Sequence, residues 1–319
     1  MPIIPLICPS CGANLEVNSD DSILTCQYCG SSSVMKDAIV HNYIQNTINI
    51  TAGTVNVVNQ KDFIIEAGVL KKYQGESVDV VIPSNVVSIE GAFKNMKIKS
   101  VVIPDSVTEI GVSAFEGCTS LTSINIPGSV KKIVTSAFSG CTSLMSVTIP
   151  DSVTMIGWSA FSGCTALTSI TIPGSMTEIG PAAFEGCILL KSVSISNGVK
   201  EIGCAAFKGC TSLMSVTIPG SMTKIGVSSF ENCTSLASII LPDSVIEIGE
   251  SAFEGCTSLA SVTMPRGVKT DSYAFRFTPY DLNRTREYRV QNNLCKYCGG
   301  SFKGTFKKVC SRCGEPKDY

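Results

Sequence analysis

The sequence predicts an α/β-type repeat solenoid that is mainly β, built on a parallel sheet, with a small cysteine-anchored module at each end. Three observations predict it. Phenylalanine returns at Phe115, Phe138, Phe161, Phe184, Phe207, Phe230 and Phe253, each 23 residues after the last, and Phe93 and Phe275 extend the series at spacings of 22. Proline keeps the same step at Pro104, Pro127, Pro150 and Pro173, yields once to Ser196, and resumes at Pro219, Pro242 and Pro265. Paired Cys-x-x-Cys-Gly motifs stand near both termini, at Cys8 to Gly30 and Cys295 to Gly314. A fixed period of this length marks a chain that winds into stacked coils, because one unit cannot bury its own apolar face.

Each unit reads in three parts. The first, as in Leu144 to Ile149, ends in an alternating stretch that fits a half-buried strand, and the following proline stops it because it has no N–H for the next ladder bond. The second, as in Ser152 to Gly157, turns Val153 and Ile156 inward and closes on a glycine that permits a close backbone approach. The third, as in Ser159 to Cys164, is expected to be one short helical turn anchored by Phe161. Nine strands at the usual ~4.8 Å spacing give a parallel sheet about 40 Å long.

The units at Ile103 to Leu121 and Leu241 to Leu259 carry the pattern I/L-P-D-S-V-x-E-I-G-x-S-A-F-E-G-C-T-S-L. This resembles the BspA-type leucine-rich repeat family over residues 62–276. The resemblance implies a curved solenoid that usually serves as a protein-binding surface, and in many relatives a cell-surface, adhesive one. Before the array, Phe63 to Tyr73 reads as a β-hairpin turning at Ala67-Gly68 and resembles the family's N-terminal cap. After it, Arg276 to Gln291 breaks the repeat and reads as a cap or linker. Residues 39–61 read as a strand-rich connector with a turn at Ala52-Gly53.

Cys118, Cys141, Cys164, Cys187, Cys210, Cys233 and Cys256 recur at one place in the coil. Stacking sets them about 5 Å apart but pointing the same way, whereas a disulfide needs converging Cβ vectors. They read as a column of buried thiols that also bond backbone at the turn. Cys204 stands outside the column and reads as a turn residue.

The terminal cysteines read differently. Residues 1–38 hold Cys8, Cys11, Cys26 and Cys29, and residues 277–319 hold Cys295, Cys298, Cys310 and Cys313. A two-residue gap lets both sulfurs of a pair face one ion, and two such knuckles make a tetrahedral thiolate cage for Zn²⁺. Both segments resemble short zinc ribbons, which implies two structural ions with no open coordination position for a substrate. A rubredoxin-like iron site uses similar ligands, and a redox Cys-x-x-Cys is the remaining alternative, although no βαβ unit accompanies it.

Composition narrows the function. A formal charge of −1 implies no global attraction to nucleic acid or membrane. The start, MPIIPLICPSCG, has no basic n-region and reads as no secretory signal, and no run of 18 apolar residues exists. A cytoplasmic location is therefore expected, where thiols stay reduced. The lone histidine, His41, has no nucleophile motif beside it, and neither GxxxxGK[ST] nor GxSxG occurs. Glu109, Glu178, Glu201 and Glu247 share one repeat position with Lys132 and Lys224, which describes a solvated charged edge. An enzyme is not expected; a protein-binding scaffold is.

Two surfaces are candidates for a partner. Alternation turns Ser146 and Thr148, Ser169 and Thr171, and their equivalents outward as a nearly uncharged Ser/Thr carpet, either soluble filler or a match for a repetitive partner. The segment from Arg276 to Tyr319 carries ten Lys/Arg against four Asp/Glu, with Tyr280, Tyr297, Phe302 and Phe306 interleaved. Such a basic, aromatic ribbon suits a protein contact, a nucleic-acid contact or a purely structural role. Trp158, the sole tryptophan, follows Gly157 in a turn and fits either a rim contact or packing on a neighbouring coil.

Overall fold

In the computed structural model, residues 61–281 other than 272 are described in full, and outside them the structure describes only the backbone of short strands and of Gln60. The array begins with the expected hairpin. Phe63–Glu66 and Val69–Tyr73 pair antiparallel, and Ala67 and Gly68 turn the chain with φ of 48° and 79°. Positive φ at both central residues is the turn whose twist matches a two-stranded ribbon. The second hairpin strand then pairs in parallel with Ser88–Ile89 of the first coil, so the hairpin becomes the template for the stack.

The continuous sheet of the solenoid forms from a part of the unit where the sequence shows no strand pattern. Two-residue strands such as Glu109–Ile110, Lys132–Ile133, Met155–Ile156 and Glu178–Ile179 stack in parallel, coil on coil, into an eleven-stranded sheet that includes the hairpin. In each, the isoleucine is buried and its neighbour faces outward. Two residues are too few to display a period of two, so the signal is invisible in any one unit. The alternating stretch before each proline does form the expected strand. These strands, such as Ser123–Asn125 with Ser146–Thr148, join only in groups of two or three.

The third part of the unit is not a helical turn. In Ser159–Cys164, the amides of Ala160, Ser162 and Cys164 donate back three residues, to Gly157, Ser159 and Phe161. The intervening amides of Ser159, Phe161 and Gly163 donate to Pro181, Ala183 and Glu185 of the next coil at 2.9, 2.8 and 2.7 Å. The cause is a left-handed residue at the same place in each coil: Ser113, Ser136, Ser159, Ala182, Ala205, Ser228 and Ser251 have φ between 52° and 55°. That conformation ends any right-handed helix and turns every second amide toward the neighbour.

Inside the coils the rings of Phe93 through Phe275 form one column, with centroids 5.1–5.4 Å apart and planes within 11° of parallel. Phe63 and Tyr73 start the column, and Tyr280 closes it edge-on against Phe275 at 5.1 Å. Tyr280 is held by a helix start. The buried Thr278 hydroxyl donates to the Phe275 carbonyl at 2.6 Å and accepts the Asp281 amide at 3.0 Å, an N-cap with proline next to it.

One coil departs from the pattern at a place that the others hold constant. Ala114, Ala137, Ala160, Ala183, Ala206 and Ala252 are buried beside the phenylalanines, but the equivalent Ser229 buries a hydroxyl with no hydrogen-bond partner. Ser229→Ala should therefore raise the unfolding free energy by about 1 kcal/mol. Urea titration followed by circular dichroism checks this, and a destabilised variant contradicts it.

Outside the array, Asn46–Thr51 and Thr54–Asn59 pair antiparallel, and the expected turn at Ala52-Gly53 lies outside the described residues. Among the described residues, no helix is long and apolar enough to cross a membrane.

Candidate binding surfaces and metal centres

The thiol column is fully committed to the fold. Each of its seven cysteines is buried and free, and each thiol donates to the phenylalanine carbonyl of the preceding coil. The distances run from 3.0 Å, for Cys118 to Phe93, to 3.3 Å, for Cys187 to Phe161. Burial pushes the Cys118 and Cys256 thiols up to about 12, and those of Cys164, Cys187, Cys210 and Cys233 well above their ordinary value. A thiol held protonated is neither a nucleophile nor a metal ligand. Consistently, no group of three or more His, Cys, Asp or Glu among the described residues is placed to hold a metal ion. Cys204 lies outside the column and is exposed, as its turn position implies.

The outer surface is organised in ladders. Along the eleven-stranded sheet the register brings Glu109 beside Lys132, Lys132 beside Met155, Glu178 beside Glu201, and Lys224 beside Glu247. Lys224 bridges back to Glu201 at 2.7 Å, which raises its own pKa. A second ladder, at the turn, pairs Lys94 with Glu116 at 3.0 Å and Lys208 with Glu231 at 2.9 Å. A hydrogen bond from Ser113 and the neighbouring Lys94 hold the Glu116 carboxyl below its ordinary value. Exposed pairs of this kind contribute about 0–1 kcal/mol each, so the ladders define a surface more than they hold the fold. The Ser/Thr carpet is exposed as expected: Ser146, Thr148, Ser169 and Thr171 face outward with buried Val147 and Ile170 between them. Trp158 resolves to the rim: it is 63% exposed, at the corner after Gly157.

The metal candidates rest on the backbone framework. Cys8, Cys11, Cys26, Cys29, Cys295, Cys298 and Cys313 lie outside the described residues, as does His41. Cys310 is described only as the last residue of strand Val309–Cys310. Strands Leu6–Ile7 and Asn14–Leu15 pair antiparallel on either side of the Cys8 and Cys11 pair in sequence. Ile23–Thr25 and Ser32–Val34 do the same around Cys26 and Cys29. Two hairpins, each with a Cys-x-x-Cys in its connection, are the arrangement a four-thiolate ribbon requires, so this donor set fits a structural Zn²⁺. Near the other end, Phe302–Lys303 pairs antiparallel with Val309–Cys310, whose last residue opens the second cysteine pair.

The stacked coils and their buried columns define a repeat solenoid of the leucine-rich class. The chain belongs to the BspA type leucine rich repeat family, whose model matches residues 65–190 and 177–298 in six copies. A zinc ribbon domain family matches residues 4–35. No curated protein matches the chain. Among solved structures, it is similar to a leucine rich repeat protein of T. pallidum, with 27% identity and a TM-score of 0.50 over 72% of this chain and 96% of that one. It is also similar to a leucine-rich repeat protein from Eubacterium ventriosum, with 26% identity and a TM-score of 0.52 over 63% of this chain and 64% of that one.

Proposed function

We propose that the chain is a non-catalytic, protein-binding scaffold of the cytoplasm, in which the solenoid presents surface and a zinc ribbon at each end caps it or engages a further partner. One observation carries this reading. Seven of the array's eight thiols are buried and bonded to backbone, while the outward side chains of the eleven-stranded sheet form a ladder along the stacked coils. The basic residues from Arg276 to Tyr319 make the C-terminal ribbon the part most suited to a second contact, with protein or with nucleic acid. The test is capture from the native host on the full chain, with and without nuclease. Retention of a specific protein after nuclease supports the scaffold. Loss of everything on nuclease treatment supports a nucleic-acid role for the basic ribbon, and finding the mature chain outside the cell supports an adhesive one.

In this reading Cys8, Cys11, Cys26 and Cys29 hold one Zn²⁺, and Cys295, Cys298, Cys310 and Cys313 hold a second. A bound ion supplies folding free energy that a module of this size cannot obtain from its core. Elemental analysis should give two zinc per chain, falling to one in Cys11→Ser or in Cys298→Ser. Chelation should leave the circular dichroism of the solenoid in place. A visible iron–thiolate absorption, or a single ion in the unsubstituted chain, contradicts the assignment.

A further inference from the structure

One corner of the solenoid differs from the rest in both shape and charge. The corner residues of successive coils are Val112, Thr135, Trp158, Pro181, Cys204, Val227 and Glu250. They are stacked by a backbone ladder: the Ser136 amide donates to the Trp158 carbonyl at 2.9 Å, the Ser159 amide to Pro181 at 2.9 Å, and the Ala182 amide to Cys204 at 2.8 Å. Trp158, Cys204 and Val227 are exposed there and Pro181 is half-buried, so from Trp158 to Val227 the corner is an apolar ridge, with exposed Thr135 and Glu250 beyond its two ends. Trp158 is 63% exposed, and tryptophan is among the side chains most enriched at binding hot spots.

Acidic residues flank the ridge on both sides within a single coil. Glu178 precedes Pro181 on the sheet strand, and Glu185 follows it at the turn. Neither carboxylate is bridged by a lysine or arginine among the described residues. The neighbouring cations are already engaged, Lys224 with Glu201 and Lys208 with Glu231. Coil segments 154–163 and 177–186 contain no lysine or arginine at all, and Lys132 stands beyond Met155, in register with Glu109. Ion pairs such as Lys94–Glu116, Lys208–Glu231 and Lys224–Glu201 neutralise parts of the two ladders; Glu178 and Glu185 leave two negative charges beside exposed apolar surface.

We propose that the corner formed by Trp158 and Pro181, between Glu178 and Glu185, docks a partner-protein segment that carries arginine or lysine on either side of an apolar residue. The apolar residue covers the ridge and the cations meet the two carboxylates, a pairing that selects partners by charge and speeds encounter. The inference rests on the scaffold reading and gives it a site and a partner chemistry.

Trp158 is the sole tryptophan, so its emission reports on this site alone. The probe is a synthetic Arg-Leu-Leu-Arg repeat peptide titrated into the full chain, with a Glu-Leu-Leu-Glu peptide as its counterpart. The basic peptide should shift Trp158 emission to the blue saturably and lose affinity with salt, and the acidic one should do neither. Glu178→Gln and Glu185→Gln should each weaken binding by roughly three- to tenfold. Trp158→Ala, followed by anisotropy of a labelled peptide, should weaken it about thirtyfold. Glu109→Gln, on a distant coil, should leave binding unchanged. Unmoved emission at saturating peptide, or equal binding by the doubly substituted Glu178→Gln, Glu185→Gln chain, overturns the proposal. So does a salt-dependent emission shift of the chain alone, which would place its own basic C-terminal segment on the ridge. A host protein that the doubly substituted chain still captures removes this site but keeps the scaffold; capture of none by the unsubstituted chain removes the scaffold itself.

Discussion

Replacing Phe161 by alanine should lower the unfolding free energy by about 3–5 kcal/mol, a large share of what holds a domain together. Phe161 is fully buried and stacks on two rings, Phe138 at 5.1 Å and Phe184 at 5.3 Å. Truncation leaves a cavity in the centre of the column and breaks the ring contact with both neighbouring coils. In a stacked array, stability is a sum of coil terms and nearest-neighbour terms, so a break in the middle uncouples the two halves. The denaturation profile should then split into two transitions. Trp158→Ala, on the surface of the same coil, should change stability by less than about 0.5 kcal/mol. A Phe161→Ala chain that unfolds within about 1 kcal/mol of the original contradicts the column as the main support.

Alkali should unfold the solenoid steeply. The folded thiols of the column are pushed up by burial, to about 12 for Cys118 and Cys256 and well above the ordinary value for their inner neighbours. A folded pKa raised above the unfolded one gives stability that is complete below the unfolded value, here 9.0, and is lost as pH rises toward the folded value. Each fully titrating thiol removes about 1.4 kcal/mol per pH unit in that window. Seven of them acting together make a slope on the order of 10 kcal/mol per unit, enough to unfold the array between about pH 10 and 11. Tyr73, also raised by burial, adds in the same direction. Circular dichroism against pH checks this, and Cys187→Ala should make the dependence shallower. A solenoid that stays folded through about pH 11.5 contradicts it.

Much of this architecture is legible in the residues because each column repeats. The step of 23 places every phenylalanine above the last, and a ring column follows from sterics alone. The thiol column is legible for the same reason: seven cysteines in one register cannot converge to bridge, and their bonds to the phenylalanine carbonyls match that reading. The two-residue sheet strands are not legible, since one outward and one inward residue show no period. Nor is the left-handed turn, because serine and alanine hold it at Ser159 and Ala182, where glycine or asparagine would have announced it. What the sequence offered instead was size: only Ser or Ala occurs at that place from Ser113 to Ser251. Trp158 was visible as the sole tryptophan, in a turn after Gly157, but whether it faced solvent or packed on a neighbouring coil depended on the direction of the chain there, which no periodicity reports.

The sixteen cysteines allow one measurement to reach every part of the account. A brief pulse of iodoacetamide on the native, zinc-loaded chain, read by peptide mass spectrometry, should label Cys204 alone. After chelation the eight terminal cysteines should join it, while the seven column thiols remain unlabelled until the chain is unfolded. Labelling of Cys164 or Cys187 in the native chain would contradict the stacked coils, and terminal cysteines that react equally with and without chelator would contradict the metal clasps.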